Sequence, residues 1–223
     1  MGFEFKKTVL IGALAISTFL SAATEGTEYI KLTKAQQIPN ADDKIIELLS
    51  YGCIHCYNHF KNGTLKFVSE FFPEFKYEEW QVKQMGEYGY QMAEVLAYAK
   101  MLDGKSGINS LSVKSSFHQI LKAYFEANFK QRKRYNDANA FYQVAIDVLK
   151  NQLNKDVSVQ DIIDYAKSDA GKKQIQRFDD GFEIAKLNGT PAFIIKGKYL
   201  INLEKIGSAE ELVEVINEIV KLD

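Results

Sequence analysis

A chain of 223 residues with 46% hydrophobic and 13% aromatic residues is long enough for one domain of fair size, or for a domain carrying an inserted second one, and too apolar for intrinsic disorder. Its 28 Lys and Arg against 29 Asp and Glu leave a net charge of −1, so nothing in the overall balance calls for nucleic acid or an acidic membrane as partner. The basic run Gln131-Arg132-Lys133-Arg134 is short and flanked by helix formers; a solvated helix end is the simpler reading and a docking patch the alternative.

The first residues have the form of an address. Lys6-Lys7 precede an apolar stretch from Thr8 to Leu20, and Ser21-Ala22-Ala23 offer small residues for cleavage, the three-part pattern of a secretory signal peptide over residues 1–23. An uncleaved anchor is the alternative, but the apolar run falls short of the roughly 18 to 20 residues that span a bilayer. No later segment is apolar enough to span, so the mature protein is expected to be soluble.

After the signal a short strand is expected at Tyr29 to Leu32. Lys44-Ile45-Ile46-Glu47-Leu48-Leu49-Ser50-Tyr51 forms a compact apolar run bounded by Asp42-Asp43 and Gly52, as in a strand buried on both faces; Glu47 interrupts it. Cys53 to Phe72 has the spacing of a helix with Cys56, Phe60, Phe67 and Phe71 on one side, kinked or broken at Asn62-Gly63. Pro73 closes that segment, and Phe75 to Lys83 alternates as a second core strand.

From Gly86 to Gly171 the period becomes helical. Phe117, Ile120, Leu121, Tyr124 and Phe125 recur at helical spacing, as do Phe141, Val144, Ala145, Val148 and Leu149. Gly104-Lys105-Ser106-Gly107 separates two helices, and Ser158-Val159-Gln160-Asp161 resembles a capping box. Lys172 to Asn188 is expected as one long helix ended by Gly189. Ala192 to Lys196, the turn Gly197-Lys198 and Tyr199 to Ile201 form a hairpin by pattern. Ser208 with Glu211 then caps a last amphipathic helix. Strands at both ends and helices in the middle imply one α/β unit, residues 24–85 and 172–223, with an all-helical insertion at 86–171.

Two cysteines are present, Cys53 and Cys56, and both lie in one C-x-x-C. A structural disulfide gains by closing a long loop, and a two-residue spacer closes almost none. With Cys53 at the end of a buried strand and the start of a helix, its sulfur meets unpaired backbone N–H groups and the positive end of the helix dipole. Both favour thiolate and lower a pKa that is ~8.5 when unperturbed. His55 can add a donor or a positive charge from the same turn, and Cys56 lies one turn deeper. Cys53 is therefore the exchanging thiol and Cys56 the resolving one. Haem attachment needs His directly after the second cysteine, where Tyr57 stands. A metal-binding carrier using Cys53, Cys56 and His59, with His55 or His118 as a fourth ligand, stays open as the alternative from a different class.

The run Leu48-Leu49-Ser50-Tyr51-Gly52-Cys53-Ile54-His55-Cys56-Tyr57 resembles the active-site segment of the DsbA family of bacterial periplasmic thiol oxidases. Gly189-Thr190-Pro191-Ala192-Phe193 with Gly197-Lys198-Tyr199 is similar to that family's cis-proline loop and following hairpin. The resemblance implies a thioredoxin-like fold with a helical insertion, residence in the periplasm of a Gram-negative bacterium, and a disulfide donated to newly exported cysteine-containing proteins. It implies a redox pair at Cys53 and Cys56 and a cis bond at Pro191 that lays the Thr190 backbone open to an extended substrate. It also implies an acid, Glu47, beneath the pair to accept the Cys56 proton; a strand-edge carboxylate facing solvent is the plainer alternative for that residue. No bound cofactor is required, since the dithiol carries the electrons. The expected partner is a DsbB-like quinone-linked membrane protein that reoxidises a monomer. Two positions depart from the family's common pattern, Ile54 where many members have proline and Thr190 where many oxidases have valine. Both touch the sulfurs and tune the potential, so a disulfide reductase or isomerase of the same fold is the alternative within the enzymes.

Overall fold

The computed structural model describes residues 23–222, so the expected signal peptide lies outside the described residues except for Ala23. Five strands form a single sheet: β1 (Tyr29–Lys31), β2 (Lys44–Leu49), β3 (Lys76–Gln81), β4 (Ala192–Ile195) and β5 (Tyr199–Ile201), in the order β1-β5-β4-β2-β3. Only β2 and β3 run parallel; the other pairs are antiparallel. β2 sits inside the sheet, and Ile45 to Leu49 are all buried, as its near-continuous apolar run requires.

Each face of the sheet has its own core. On one, Ile45, Phe193 and Ile195 pack with Leu65 and Val68 of α2 (Thr64–Phe71) and with Leu212, Val215, Ile216 and Ile219 of α9 (Ala209–Ile219). On the other, Ile46, Leu48 and Trp80 join a core that continues into the helical block. That block lies in sequence between β3 and β4. It contains α3 (Gly89–Lys105), α4 (Ser116–Phe129), α5 (Ala138–Asn151) and α6 (Val159–Lys167), followed by α7 (Asp169–Asp180) and α8 (Phe182–Asn188). Ser158 and Asp161 form the expected reciprocal capping box at α6. Asp103, buried near the end of α3, accepts the backbone N–H groups of Ser116 and Phe117 at 2.6 and 3.0 Å and so anchors the start of α4.

The break expected at Asn62-Gly63 is present, but the face buried beyond it and the single long helix over 172–188 need correction. The segment after Cys53 divides into α1 (Ile54–Asn62) and α2, with Gly63 between them at φ 67°. That left-handed residue re-phases the helix. The buried positions of α2 are Thr64, Leu65 and Val68, while Phe71 is 53% exposed. The long helix expected over 172–188 is likewise two helices, divided at Gly181, and α7 begins before residue 171. A Cβ at Gly181 would lie 2.6 Å from Leu48 Cδ2, so the chain passes β2 too closely for any side chain there.

Candidate active site

The site forms where β2 gives way to α1. The backbone N–H of Tyr51 donates to Gln81 Oε1 at 3.0 Å and that of Cys53 to Ser50 O at 3.0 Å, which holds the exit of the strand. Cys53 is the N-cap of α1, with extended backbone (φ −96°, ψ 119°), and its Sγ accepts from Cys56 N–H at 3.4 Å. The sulfur thus occupies the place a Ser or Asp oxygen usually takes at a helix start. Both cysteines are free thiols, Cys53 partly exposed and Cys56 only 2% exposed.

The two thiols are driven apart in acidity. The Cys56 side chain and then its N–H, the Thr190 side chain and the His55 N–H all stabilise the Cys53 thiolate, outweighing partial burial and bringing the pKa down to about 5. Cys56 moves the opposite way: burial first, then the neighbouring Cys53, push its thiol far above the ordinary range.

Cys53 Sγ–H also donates to Thr190 O at 3.0 Å, and the Thr190–Pro191 peptide is cis. The fold therefore brings Cys53, Cys56, Thr190 and Pro191 together. Thr190 Oγ1 rests 3.8 Å from Met85 Sδ, and Ile54, 45% exposed, adds an apolar rim.

His55 lies in the same turn as the pair. Its side chain is exposed, and the part of the residue that reaches Cys53 is its backbone N–H. Glu47 is 5% exposed on an interior strand, so it is not a solvent-facing edge carboxylate. Burial, then the charges of Glu79 and Cys53, hold its carboxyl well above the usual carboxylate range. Its Oε1 lies 3.8 Å from His59 Nδ1.

Several residues near the pair escaped the sequence reading. Glu79 of β3 stands in register with Glu47 and is 6% exposed. Glu47, Glu79 and His59 line one cavity of about 390 Å³ between the sheet, α1, α2 and α4. Parity along β3 was the available signal, since Tyr77, Glu79 and Gln81 share one face of a strand. Among the described residues, no group of three or more His, Cys, Asp or Glu side chains is arranged to hold a metal ion.

No family model matches the chain. Among curated proteins, thiol:disulfide interchange protein DsbL of Escherichia coli O6:H1 (strain CFT073) is 31% identical over 218 residues, covering 96% of this chain and 95% of its own length. DsbL of Klebsiella pneumoniae matches to the same extent. DsbA of Pseudomonas syringae pv. tomato is 25% identical over 196 residues, covering 87% of this chain and 82% of its own length. Among solved structures, DsbL of Salmonella enterica serovar Typhimurium superposes with a TM-score of 0.80 at 29% identity, covering 91% of this chain and 100% of that one. DsbA from Proteus mirabilis, with a TM-score of 0.63 at 22% identity over 89% and 95% of the two chains, shares the fold alone. With the α/β thioredoxin-like fold, its helical insertion and the dithiol at a helix start, these likenesses make the chain a protein-disulfide oxidoreductase of the DsbA-like family of thiol:disulfide interchange proteins.

Proposed function

We propose that the protein works as a dithiol oxidase in which Cys53 exchanges with substrate and Cys56 resolves. A substrate thiolate attacks Cys53 Sγ of the oxidised pair. The Cys53–Cys56 bond breaks, Cys56 leaves with the electron pair, and its burial requires that it take up a proton. A second substrate thiolate then attacks the substrate sulfur of the mixed disulfide and releases Cys53 as thiolate. The substrate loses two electrons and the protein gains them. The observation that carries this reading is the contrast in acidity, with Cys53 at about 5 and Cys56 far above its ordinary value. A stabilised Cys53 thiolate favours the reduced protein and makes its disulfide an oxidant.

Thr190 and Pro191 bind the substrate backbone in this reading, the Thr190 carbonyl exchanging its bond from the Cys53 thiol for one from an extended chain when Cys53 is in a disulfide. Glu47 exchanges a proton with Cys56, and His55 contributes its backbone N–H. Residues 1–23 serve as a cleaved export signal, residues 24–85 and 172–223 make up the thioredoxin-like unit, and residues 86–171 form the inserted domain. The protein acts as a monomer in the periplasm on cysteine-containing exported proteins. A DsbB-like quinone-linked membrane protein reoxidises it, and no bound cofactor takes part.

Equilibration with glutathione redox buffers tests the direction of the reaction. The expected potential lies well above the about −270 mV of a thioredoxin. A value at or below that level would make the protein a reductase.

A further inference from the structure

The proposed chemistry leaves a difficulty at Glu47. Cys56 must gain a proton when the disulfide opens and lose it when the disulfide forms, and a single carboxyl does only one of these well at a given pH. Burial, then the charges of Glu79 and Cys53, favour the protonated form of Glu47, which makes it the better donor and the poorer acceptor.

Glu79 changes this. The parallel pairing of β2 and β3 sets Glu47 directly opposite Glu79, so the two side chains leave the same face of the sheet side by side. Both are nearly inaccessible and both line the same cavity. Two adjacent buried carboxyls do not ionise independently, because the first charge opposes the second. The cations nearby do not lift that constraint. Lys100 of α3 draws Glu79 downward but is outweighed by burial, which brings Glu79 up to about 7. Lys44 of β2 is paired with Glu78 at 2.8 Å. His59 of α1 is held below its usual pKa by burial, then by His55, and adds no full charge near neutrality. At the outer part of the cavity stand Lys61, Lys66, His118 and Lys122, while Lys130 is bound to Glu126 at 2.7 Å.

We propose that Glu79 is a positioning residue that shares one proton with Glu47, so that the pair beside the dithiol offers both a carboxyl and a carboxylate to Cys56 near and above neutral pH. When the disulfide opens, the Cys56 thiolate takes the shared proton, leaving a doubly ionised pair that refills from solvent through the cavity. When the disulfide forms from a mixed disulfide on Cys53, the Cys56 thiol gives its proton to the pair and the resulting thiolate attacks Cys53 Sγ, breaking the mixed-disulfide bond and releasing the bound partner as thiolate with the electron pair. His59, 28% exposed and with Nδ1 lacking a hydrogen-bond partner, stands between Glu47 and solvent as the outlet. The inference rests on the dithiol exchange proposed above.

The test compares the wild-type protein with Glu79→Gln and Glu79→Asp. Opening is followed with reduced glutathione and closure with oxidised glutathione, by acid quench and mass spectrometry, with rates corrected for ionisation of the attacking thiol. The wild type is expected to keep both corrected rates within about threefold across neutral pH. In Glu79→Gln, Glu47 alone must be donor and acceptor, so below its pKa closure is expected to rise toward tenfold per pH unit while opening stays flat, and above it opening falls as steeply while closure levels off. Glu79→Asp restores the flat profiles. Glu79→Gln profiles that parallel the wild type in both directions would overturn the proposal, since a purely structural role lowers rates without opposing slopes. Should Glu79→Gln not fold, carbon NMR titration of the wild-type glutamate carboxyls decides. Two coupled steps with one proton retained past neutrality support the shared proton, and two independent titrations in the ordinary range refute it. Absence of any disulfide exchange by the wild type, with the coupled titration present, would count against the proposed function and leave the carboxyl pair standing.

Discussion

Cys53 Sγ–H and the carbonyl oxygen of Thr190 are joined at 3.0 Å across 137 positions of sequence. The contact places the more exposed thiol beside a backbone acceptor, while Cys56 lies one helical turn deeper and 2% exposed. In the reduced native protein, Cys53 alone is expected to be alkylated by a short iodoacetamide pulse at neutral pH, as mass mapping of the peptides reads directly. Cys56→Ala should retain attack by Cys53 and lose resolution, so mixed disulfides accumulate. First labelling at Cys56 would reverse the assigned roles.

The acidity of Cys53 predicts how stability follows pH. Its folded pKa of about 5 lies well below the ~8.5 of an unperturbed thiol. Such a depression contributes stability to the reduced form that is complete above the unfolded pKa and is lost as pH falls through the folded one. At pH 7 the two pH units above the folded value correspond to at most ~2.7 kcal/mol, and solvent screening at a partly exposed sulfur reduces this to ~1.5 kcal/mol. The oxidised form lacks the term, because it carries no thiolate. Urea unfolding near pH 7 should find the reduced protein the more stable, with the difference shrinking toward pH 5. An advantage of the oxidised protein at neutral pH would mark a structural disulfide.

The strands and the dithiol were legible because their signals are local. β2 is an apolar run interrupted by Glu47, the β4–β5 hairpin carries its Gly197-Lys198 turn, and the C-x-x-C follows a strand after the short link Ser50-Tyr51-Gly52. Errors entered where a tertiary relation decides. At Gly181, where the expected long helix divides, the approach of Leu48 leaves no room for a side chain, while Gly63 shifts the phase of α2 locally by adopting a positive φ. The burial of Glu47 follows from the strands on both sides of β2, and its pairing with Glu79 from the β2–β3 register. Neither is written in one segment. His55 was read by the chemistry of its imidazole. Near the start of a helix, however, the free N–H points along the axis toward the cap, and the His55 N–H is among the groups that stabilise the Cys53 thiolate.

Gly181 permits a direct test of that tertiary relation. Its φ of −78° strains no residue type, so helix propensity alone would make Gly181→Ala stabilising by ~1 kcal/mol. The added methyl instead meets Leu48 Cδ2 at 2.6 Å and Cδ1 at 3.3 Å, and Leu48 is fully buried. Overpacking of this kind costs ~1–3 kcal/mol, so a net destabilisation of ~1 kcal/mol is expected in urea unfolding. Leu48→Ala should cost less in the Gly181→Ala background than alone. Additive costs would show that the two do not press on each other.

His55→Ala and Thr190→Val, examined side by side, separate side-chain from backbone control of the exchanging thiol. The His55 imidazole is exposed and its contribution to Cys53 comes through the backbone N–H. Alanine keeps that group, so the Cys53 pKa should move by no more than ~0.3 unit, or ~0.4 kcal/mol. The Thr190 side chain helps to stabilise the thiolate, whereas burial of the sulfur opposes it. Valine keeps the branched shape and removes the hydroxyl. The expected rise of ~0.5–1 unit in the Cys53 pKa is ~0.7–1.4 kcal/mol, which moves a two-electron potential by ~15–30 mV. The sign follows from the state affected: a less stable thiolate disfavours the reduced protein, so the disulfide becomes the weaker oxidant and the potential more negative. Thiolate absorbance titrations and glutathione equilibria of both variants read the two quantities independently. If His55→Ala shifts them more than Thr190→Val does, the imidazole turns toward the sulfur during exchange, and the assignment of thiolate stabilisation to the helix start and the Thr190 side chain is wrong.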